Sequence, residues 1–449
     1  MDAPLDSGLR SVLRLAWPSV LSFVLNNGYR INDQYWVQGL GPDAHAAIAA
    51  STFVLILNFA VIFVAVGGCL PLVARAAGAA DPAERDHVVR HGLVLGALIA
   101  VLLGGVGWFV SPHLAEPLGA EGAVVPLVGE YLRAMYLGIP ALVLAPLLDG
   151  VFLGLGNTRL PMLLQGGAVL LNLGLNPLLI YGVGGWDGMG IGGAAVATCL
   201  SRAAAAGAGL LLLRRLYGVR LGGPFELARG RLASILGLGA PSALSIAVYA
   251  GVYVLLFGLV IGQLGRDVVA GFGIGFNAFE SISYPFFLGI ALAGSSLVGR
   301  NLGAGRPDEA WRAVRHVRLL GRIVGLAFAL AFWFGGSVVA PLFSDDPRVL
   351  EEVVLYVVIL GWSQLLVSEE TVNEKVLYGA GHPRSIFWIS SLGNLLRIPL
   401  AWWLALQLGW GAAGVWWAIN LTTFLKGGLF YAQVQRGHWT AAVGGGPSS

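Results

Sequence analysis

Leu13-Arg-Leu-Ala-Trp-Pro18-Ser-Val-Leu-Ser22 returns 223 residues later as Leu236-Gly-Leu-Gly-Ala-Pro241-Ser-Ala-Leu-Ser245. Arg75-Ala-Ala-Gly78-Ala-Ala-Asp-Pro82 returns as Arg300-Asn-Leu-Gly303-Ala-Gly-Arg-Pro307, displaced by 225 residues. Gly154-Leu-Gly156-Asn-Thr-Arg159 returns as Gly379-Ala-Gly381-His-Pro-Arg384 at the same spacing. A nearly constant offset over three separated segments marks an internal duplication. Apolar runs of about 20 residues, enough to cross a bilayer, recur twelve times along the chain. Six per copy is an even number, so both copies enter the membrane in the same orientation. Parallel repeats of this kind are a transporter architecture. The expected fold is an all-α membrane protein with twelve transmembrane helices in two parallel six-helix repeats. Its expected parts are an N-lobe over 1–216, a cytoplasmic inter-lobe linker over 217–231 and a C-lobe over 232–449.

Composition agrees. Of the 449 residues, 57% are hydrophobic and only 11% charged, with a mean hydropathy of +0.77. Soluble chains carry about 25% charged residues. The 66 glycines suit membrane helices whose backbones approach closely. Cys69 and Cys199 both lie in apolar runs and read as small packed side chains rather than a disulfide or metal site. The first apolar run leads straight into a polar-faced helix, so no cleavable signal peptide is expected. No Gly-x4-Gly-Lys-[Ser/Thr] loop occurs, so ATP hydrolysis by that route is excluded. Nothing points to an enzyme, a cofactor or a nucleic-acid partner. An ion gradient is the default energy source.

Charge placement orients the chain. Arg75, Arg85, Arg90, Arg159, Arg214, Arg215, Arg220, Arg229, Arg231, Arg300, Arg306, Arg312, Arg315, Arg318 and Arg384 fall in even-numbered connections. The odd-numbered connections hold Arg266 and Arg348 among Glu116, Glu121, Asp187, Asp345 and Asp346. By the positive-inside rule both termini are cytoplasmic, as expected of a multi-pass protein of the inner membrane. A monomer is expected, with the bilayer and a small-molecule substrate as its partners.

The first helix carries groups that lipid does not tolerate. Asn26, Arg30 and Asp33 stand at i, i+4 and i+7, on one helical face. Exposing them to hydrocarbon costs several kcal/mol, so they need an interior to face. Pro18 and Pro241 sit early in the first helix of each copy. Each removes a helical hydrogen bond and marks either a bending point for gating or a passive kink.

The sequence resembles the multidrug and toxic compound extrusion (MATE) transporters. The residues that carry the resemblance are Leu15-Ala-Trp-Pro18, Asn32-Asp33-Gln-Tyr-Trp-Val-Gln-Gly-Leu-Gly41, Gly154-Leu-Gly-Asn-Thr-Arg159, Asn172-Leu-Gly-Leu-Asn176-Pro177, Ala195-Val-Ala-Thr198 and Val298-Gly-Arg-Asn-Leu-Gly-Ala-Gly305. The resemblance covers nearly the whole chain. It implies a two-lobe antiporter exporting amphipathic, often cationic compounds in exchange for Na⁺ or H⁺. It also implies an N-lobe cation site on the first, fifth and sixth helices, matched here by Asp33, Asn172 and Thr198. The family's second aspartate is Asn176 here, and Arg30 stands where a neutral residue is usual. Helix rise puts Asn172 and Asn176 about 20 and 25 Å past Arg159, and Thr198 and Arg202 about 12 and 18 Å below Gly190. These depths are compatible with one bundle of Asn26, Arg30, Asp33, Asn172, Asn176, Thr198 and Arg202. One carboxylate beside two guanidiniums is a poor Na⁺ site. Proton coupling through Asp33 would then require an Arg30–Asp33 pair to separate during the cycle.

Intramembrane acids also mark the second copy: Glu280 in the eighth helix, and Glu369 and Glu370 in the tenth. The resemblance extends to Glu280, within Phe279-Glu-Ser-Ile-Ser283. Arg397 lies at a depth where it could meet Glu369. Neighbouring helix positions point about 100° apart, so one Arg cannot serve both glutamates. The other needs a different partner, or is protonated and carries the proton. Glu374 beside Lys375 reads as a snorkelling pair. His87 and His91 have metal-ligand spacing, but the surrounding stretch is a basic cytoplasmic connection, so a solvated helix face is expected and no metal site.

Three function classes follow. The first is a secondary exporter of small amphipathic, cationic compounds, coupled to H⁺ or Na⁺ and working by alternating access. The second is a flippase for lipid-linked or anionic substrates, favoured by Arg30 and Arg202. The third is a non-transporting receptor or scaffold, which the duplication and the intramembrane charges oppose.

Overall fold

The computed structural model describes residues 6–116, 120–222 and 227–443. Its helices are α1 (Leu9–Val37), α2 (Pro42–Gly78), α3 (Pro82–Val110), α4 (Val124–Leu137), α5 (Ile139–Gly154), α6 (Arg159–Tyr181) and α7 (Gly190–Tyr217). The second half has α8 (Arg229–Leu259), α9 (Arg266–Ile274), α10 (Ser281–Gly303), α11 (Pro307–Val339), α12 (Pro347–Gly379), α13 (Pro383–Trp402) and α14 (Gly411–Gln435). Local signals start them. Pro82, Pro307, Pro347 and Pro383 stand at first helical positions, where the missing N–H costs nothing. Asp81 and Asp346 cap α3 and α12 by accepting from the backbone N–H of Glu84 and Arg348.

Among the described residues, fourteen α-helices make twelve crossings. α4 and α5 are bent by 55° around Gly138 and count as one; Pro140 at the start of α5 withholds the N–H that would continue the helix. A π-helical turn, Gly275–Glu280, joins α9 to α10 in a single span, Arg266–Gly303. Among the described residues nine helices are long and apolar enough to cross alone, and the bent pair makes ten. The other two are α1, which carries Arg10, Arg14, Arg30 and Asp33, and α14, diluted by Asn420, Thr422, Thr423 and Lys426.

The duplication is visible in backbone detail. α2 ends at Gly78 and α10 at Gly303; α5 ends at Gly154 and α12 at Gly379. The turns that follow place Gly156 at φ 75° and Gly381 at φ 78°, a left-handed conformation open to glycine. A Cβ on Gly154 would collide with the carbonyl oxygen of Leu70, and one on Gly379 with that of Ser295. Both contacts repeat at an offset of 225, so the same helix pair closes in each half through the same glycine.

The chain forms two compact units. One is Leu21–Ala243; the other is Met1–Val20 with Leu244–Ser449. The changes of unit come two and three residues past Pro18 and Pro241, inside the unbroken helices α1 and α8. In the first unit α2 packs on α3, α4 and α5, and α6 on α7. Val66, Cys69, Leu132, Val143 and Cys199 are part of its core. In the second unit α12 packs against α10, α11 and α14. Its centre is aromatic: Trp416 stacks on Phe272 at 5.7 Å and meets Tyr356 edge-on at 4.8 Å. Cys69 and Cys199 are buried and free, as read from the sequence.

Candidate functional site

Two polar clusters interrupt these cores, one in each unit. The first lies where α1, α6 and α7 meet. Asp33 is 7% exposed, and Asn172 and Asn176 are fully buried. Asn176 Nδ2 donates to Asp33 Oδ1 at 2.7 Å, and the Thr198 hydroxyl donates to Asp33 Oδ2 at 3.0 Å. Asn172 Nδ2 donates to Thr198 Oγ1 at 3.2 Å, and Asn172 Oδ1 accepts from Asn32 at 2.8 Å. Asn176 Oδ1 is buried with no partner. Helical spacing explains the set: Asn172 and Asn176 lie one turn apart on α6 and present one face to α1.

Asn26 and Arg202 form a second tier beside this cluster. Arg202 donates to Asn26 Oδ1 and to Gln165 Oε1, and its guanidinium lies 4.2 Å from the Tyr29 ring centroid. Gln165 Nε2 in turn donates to Asp149 at 2.6 Å. The seven residues expected in one bundle therefore divide. Asp33, Asn172, Asn176 and Thr198 come together; Asn26 and Arg202 join a separate chain with Gln165 and Asp149; Arg30 is exposed. The expected Arg30–Asp33 pair does not form although their i, i+3 spacing places both on one side of the helix: both Asp33 oxygens are taken by Asn176 and Thr198. Asp33 is held by neutral donors instead.

The second cluster sits among α8, α10, α11, α12, α13 and α14. Arg322 makes a two-pronged contact with Glu369, Nε to Oε2 at 2.9 Å and Nη2 to Oε1 at 3.1 Å. Arg318 lies 3.6 Å from the same carboxylate and also donates to Asn373 Oδ1. Lys426 donates to Glu370 at 2.8 Å. The expected meeting of Arg397 with Glu369 does not occur. Arg397 instead donates to Thr422 Oγ1 and to the Tyr253 hydroxyl, each at 3.1 Å. The Tyr356 hydroxyl donates to Glu280 at 3.0 Å, at the end of the π-helical turn; such turns recur at functional sites. Glu374 pairs with Lys375, both side chains mostly buried.

Sequence reasoning missed Arg322, Lys426, Asp149 and Gln165. Asp149 and Lys426 were detectable, since each is an ionisable residue within an apolar run. His91 is a further correction. It is fully buried rather than solvated: its Nε2 accepts from the Ala228 N–H at 3.0 Å, and its Nδ1 lies 2.8 Å from the His87 carbonyl. No group of three metal-binding side chains occurs among the described residues.

The fold and these sites define a duplicated membrane transporter, and comparison with known proteins gives its family. The MatE family profile matches the chain twice, over residues 18–178 and 241–403. The chain belongs to the MatE family. The two matches begin at Pro18 and Pro241, the same duplication read from the repeat. Among curated proteins it is 26% identical to the FAD transporter of Shewanella oneidensis, over 97% of this chain and 96% of that one. It is 29% identical to the probable multidrug resistance protein NorM of Pseudomonas aeruginosa, over 97% and 89%. Among solved structures it shares its fold with a MOP superfamily transporter from Pyrococcus furiosus, described as having a binding pocket of reversed polarity. The TM-score is 0.88 and the identity 22%, over 98% of this chain and 97% of that one. A MATE transporter in its outward-facing conformation matches with a TM-score of 0.85 and the same identity, over the same shares.

Proposed function

We propose that the chain exports small amphipathic organic compounds across the cytoplasmic membrane by proton antiport, with Asp33 as the exchange site. The observation that carries this reading is a buried carboxylate held only by neutral donors, Asn176 and Thr198. No fixed cation neutralises Asp33 by contact, so a mobile one can. The proton suits the site better than Na⁺. A hard cation needs several oxygens turned toward it, and here both asparagines direct N–H groups into the cluster. A proton needs only the carboxylate. Its arrival removes the charge that holds α1 to α6 and α7, giving the two states different affinities for the ion, as antiport requires. The chain acts as a monomer with both termini cytoplasmic, consistent with its basic even-numbered connections.

A second reading, export of anionic compounds, has its own support. Arg202 is fixed by Asn26, Gln165 and Tyr29, and Arg30 is exposed on the same unit. The FAD transporter relative fits that chemistry. Proteoliposomes loaded with a fluorescent organic cation or with a flavin nucleotide, under imposed pH or Na⁺ gradients, test both. The first reading expects cation release driven by the pH gradient. Flux driven only by Na⁺ overturns the proton assignment, and flux of the flavin alone selects the anionic reading.

A further inference from the structure

Beside the Glu369 cluster, the second unit carries a groove of about 490 Å³ between α11, α12 and α14. Ile323, Leu326, Leu365 and Leu366 give it apolar walls, and Arg322, Glu369 and Tyr431 lie at one end. It exists because α14 has Gly427 and Gly428 where side chains would otherwise fill the space. A Cβ on Gly428 would meet nothing within 4 Å.

The exposed face of α11 locates this groove in the bilayer. Arg312 and Arg315 are exposed near its start. After Arg322 the exposed face is apolar: Ile323, Leu326, Leu330, Phe334, Val338 and, just past the helix, Leu342. From Ile323 to Leu342 is about 28 Å of helix, close to the roughly 30 Å of a hydrocarbon core. Arg322 therefore stands at the boundary between head groups and acyl chains, on the basic side, and its side chain is 51% exposed. Charge is unbalanced there. Arg318 and Arg322 share the single carboxylate of Glu369, leaving one net positive charge at the mouth of an apolar slot. Pairing with Glu369 occupies Nε and Nη2 of Arg322, Tyr431 is a further side-chain partner, and half of the side chain remains exposed.

We propose that this groove binds one anionic glycerophospholipid of the cytoplasmic leaflet. Its phosphate sits on Arg322, and an acyl chain runs along Leu326 and Leu365 over Gly428. The bound lipid ties α14 to α11 across the gap the glycines leave, beside the Glu369 cluster. A zwitterionic lipid has the same chain but not the net charge.

Native mass spectrometry of the detergent-solubilised full chain, titrated with phosphatidylglycerol and phosphatidylcholine of identical acyl chains, reads this directly. The first phosphatidylglycerol should bind about fivefold tighter, the effect of one net basic charge at an anionic surface. Arg322→Met should abolish that preference. Gly428→Leu, which puts a side chain into the groove from a position where a Cβ meets nothing within 4 Å, should weaken binding of both lipids. Arg133→Gln, a control on the other unit where Arg133 lies over Trp108, should change neither. Equal binding of the two lipids by the wild-type chain overturns the proposal. So does a Gly428→Leu chain that binds as before. Displacement of phosphatidylglycerol by millimolar inorganic phosphate would identify a soluble-anion site instead, and also overturns it.

Discussion

The two halves share helix order, turn glycines and close-packed contacts at one offset, yet they differ in buried charge: apart from Glu280 on the Tyr356 hydroxyl, the second half pairs its membrane acids with bases. In the first, Asp33 is bound by an amide and a hydroxyl. In the second, Glu369 lies between two arginines and Glu370 against Lys426. A carboxylate with neutral donors can gain or lose a cation without stranding a buried counter-charge. A carboxylate locked to a buried base cannot be discharged without stranding its partner. On the proposed reading, one half is suited to ion exchange, and the other is braced by internal ion pairs.

The largest expected difference lies in transport. Asp33→Asn should reduce pH-driven efflux to the level of protein-free vesicles while the melting temperature changes little, since an amide can keep one of the two hydrogen bonds. Glu369→Gln should retain gradient-driven efflux. Equal loss in both variants would erase the contrast.

The next contrast is stability. Lys426→Met strands Glu370 inside the second unit and should cost about 3–5 kcal/mol, the usual penalty for removing one partner of a buried pair. Glu370→Met added to it should restore most of the loss, since an apolar pair needs no counter-charge. Thermal denaturation in detergent would show the drop and the rescue; a double variant as unstable as the single would deny that the pair braces this unit. Glu369→Gln should cost less, about 1–3 kcal/mol, because Arg322 is half-exposed and can turn to solvent or head groups.

The smallest effects belong to the prolines. Both lie in continuous helices next to the points where the chain changes unit. Pro18→Ala and Pro241→Ala each return a backbone donor to the helix. They should leave the melting temperature unchanged or raised while slowing turnover, with Pro18 the more sensitive because its helix carries Asp33. Turnover equal to wild type in both would make the prolines passive kinks.

Much of this was readable in advance. The repeat fixed the number of crossings and the paired turns, because glycines needed for a left-handed turn or a close approach cannot be replaced cheaply. The Asp33, Asn172, Asn176 and Thr198 set was readable through family resemblance and helix rise, which fix depth. Rotation about the helix was not. Depth alone allowed Arg397 to meet Glu369, but Arg397 faces Tyr253 and Thr422. The two adjacent glutamates, about 100° apart on α12, reach α11 on one side and α14 on the other. Their partners Arg322 and Lys426 sit 47 and 56 residues away in sequence, and no local pattern joins them. Arg30 is a different case: it shares a helix face with Asp33, but spacing along one helix does not reveal that Asn176 and Thr198, from two other helices, take both carboxylate oxygens.

The central claim is that the exchangeable cation of this transporter is a proton on Asp33. Its most direct test is substrate efflux from proteoliposomes with the pH gradient imposed alone and Na⁺ absent, comparing the wild-type chain with Asp33→Asn. Gradient-driven efflux by the wild type, with none by the variant, is the result expected. Efflux by Asp33→Asn that still follows the pH gradient at the wild-type rate would contradict it.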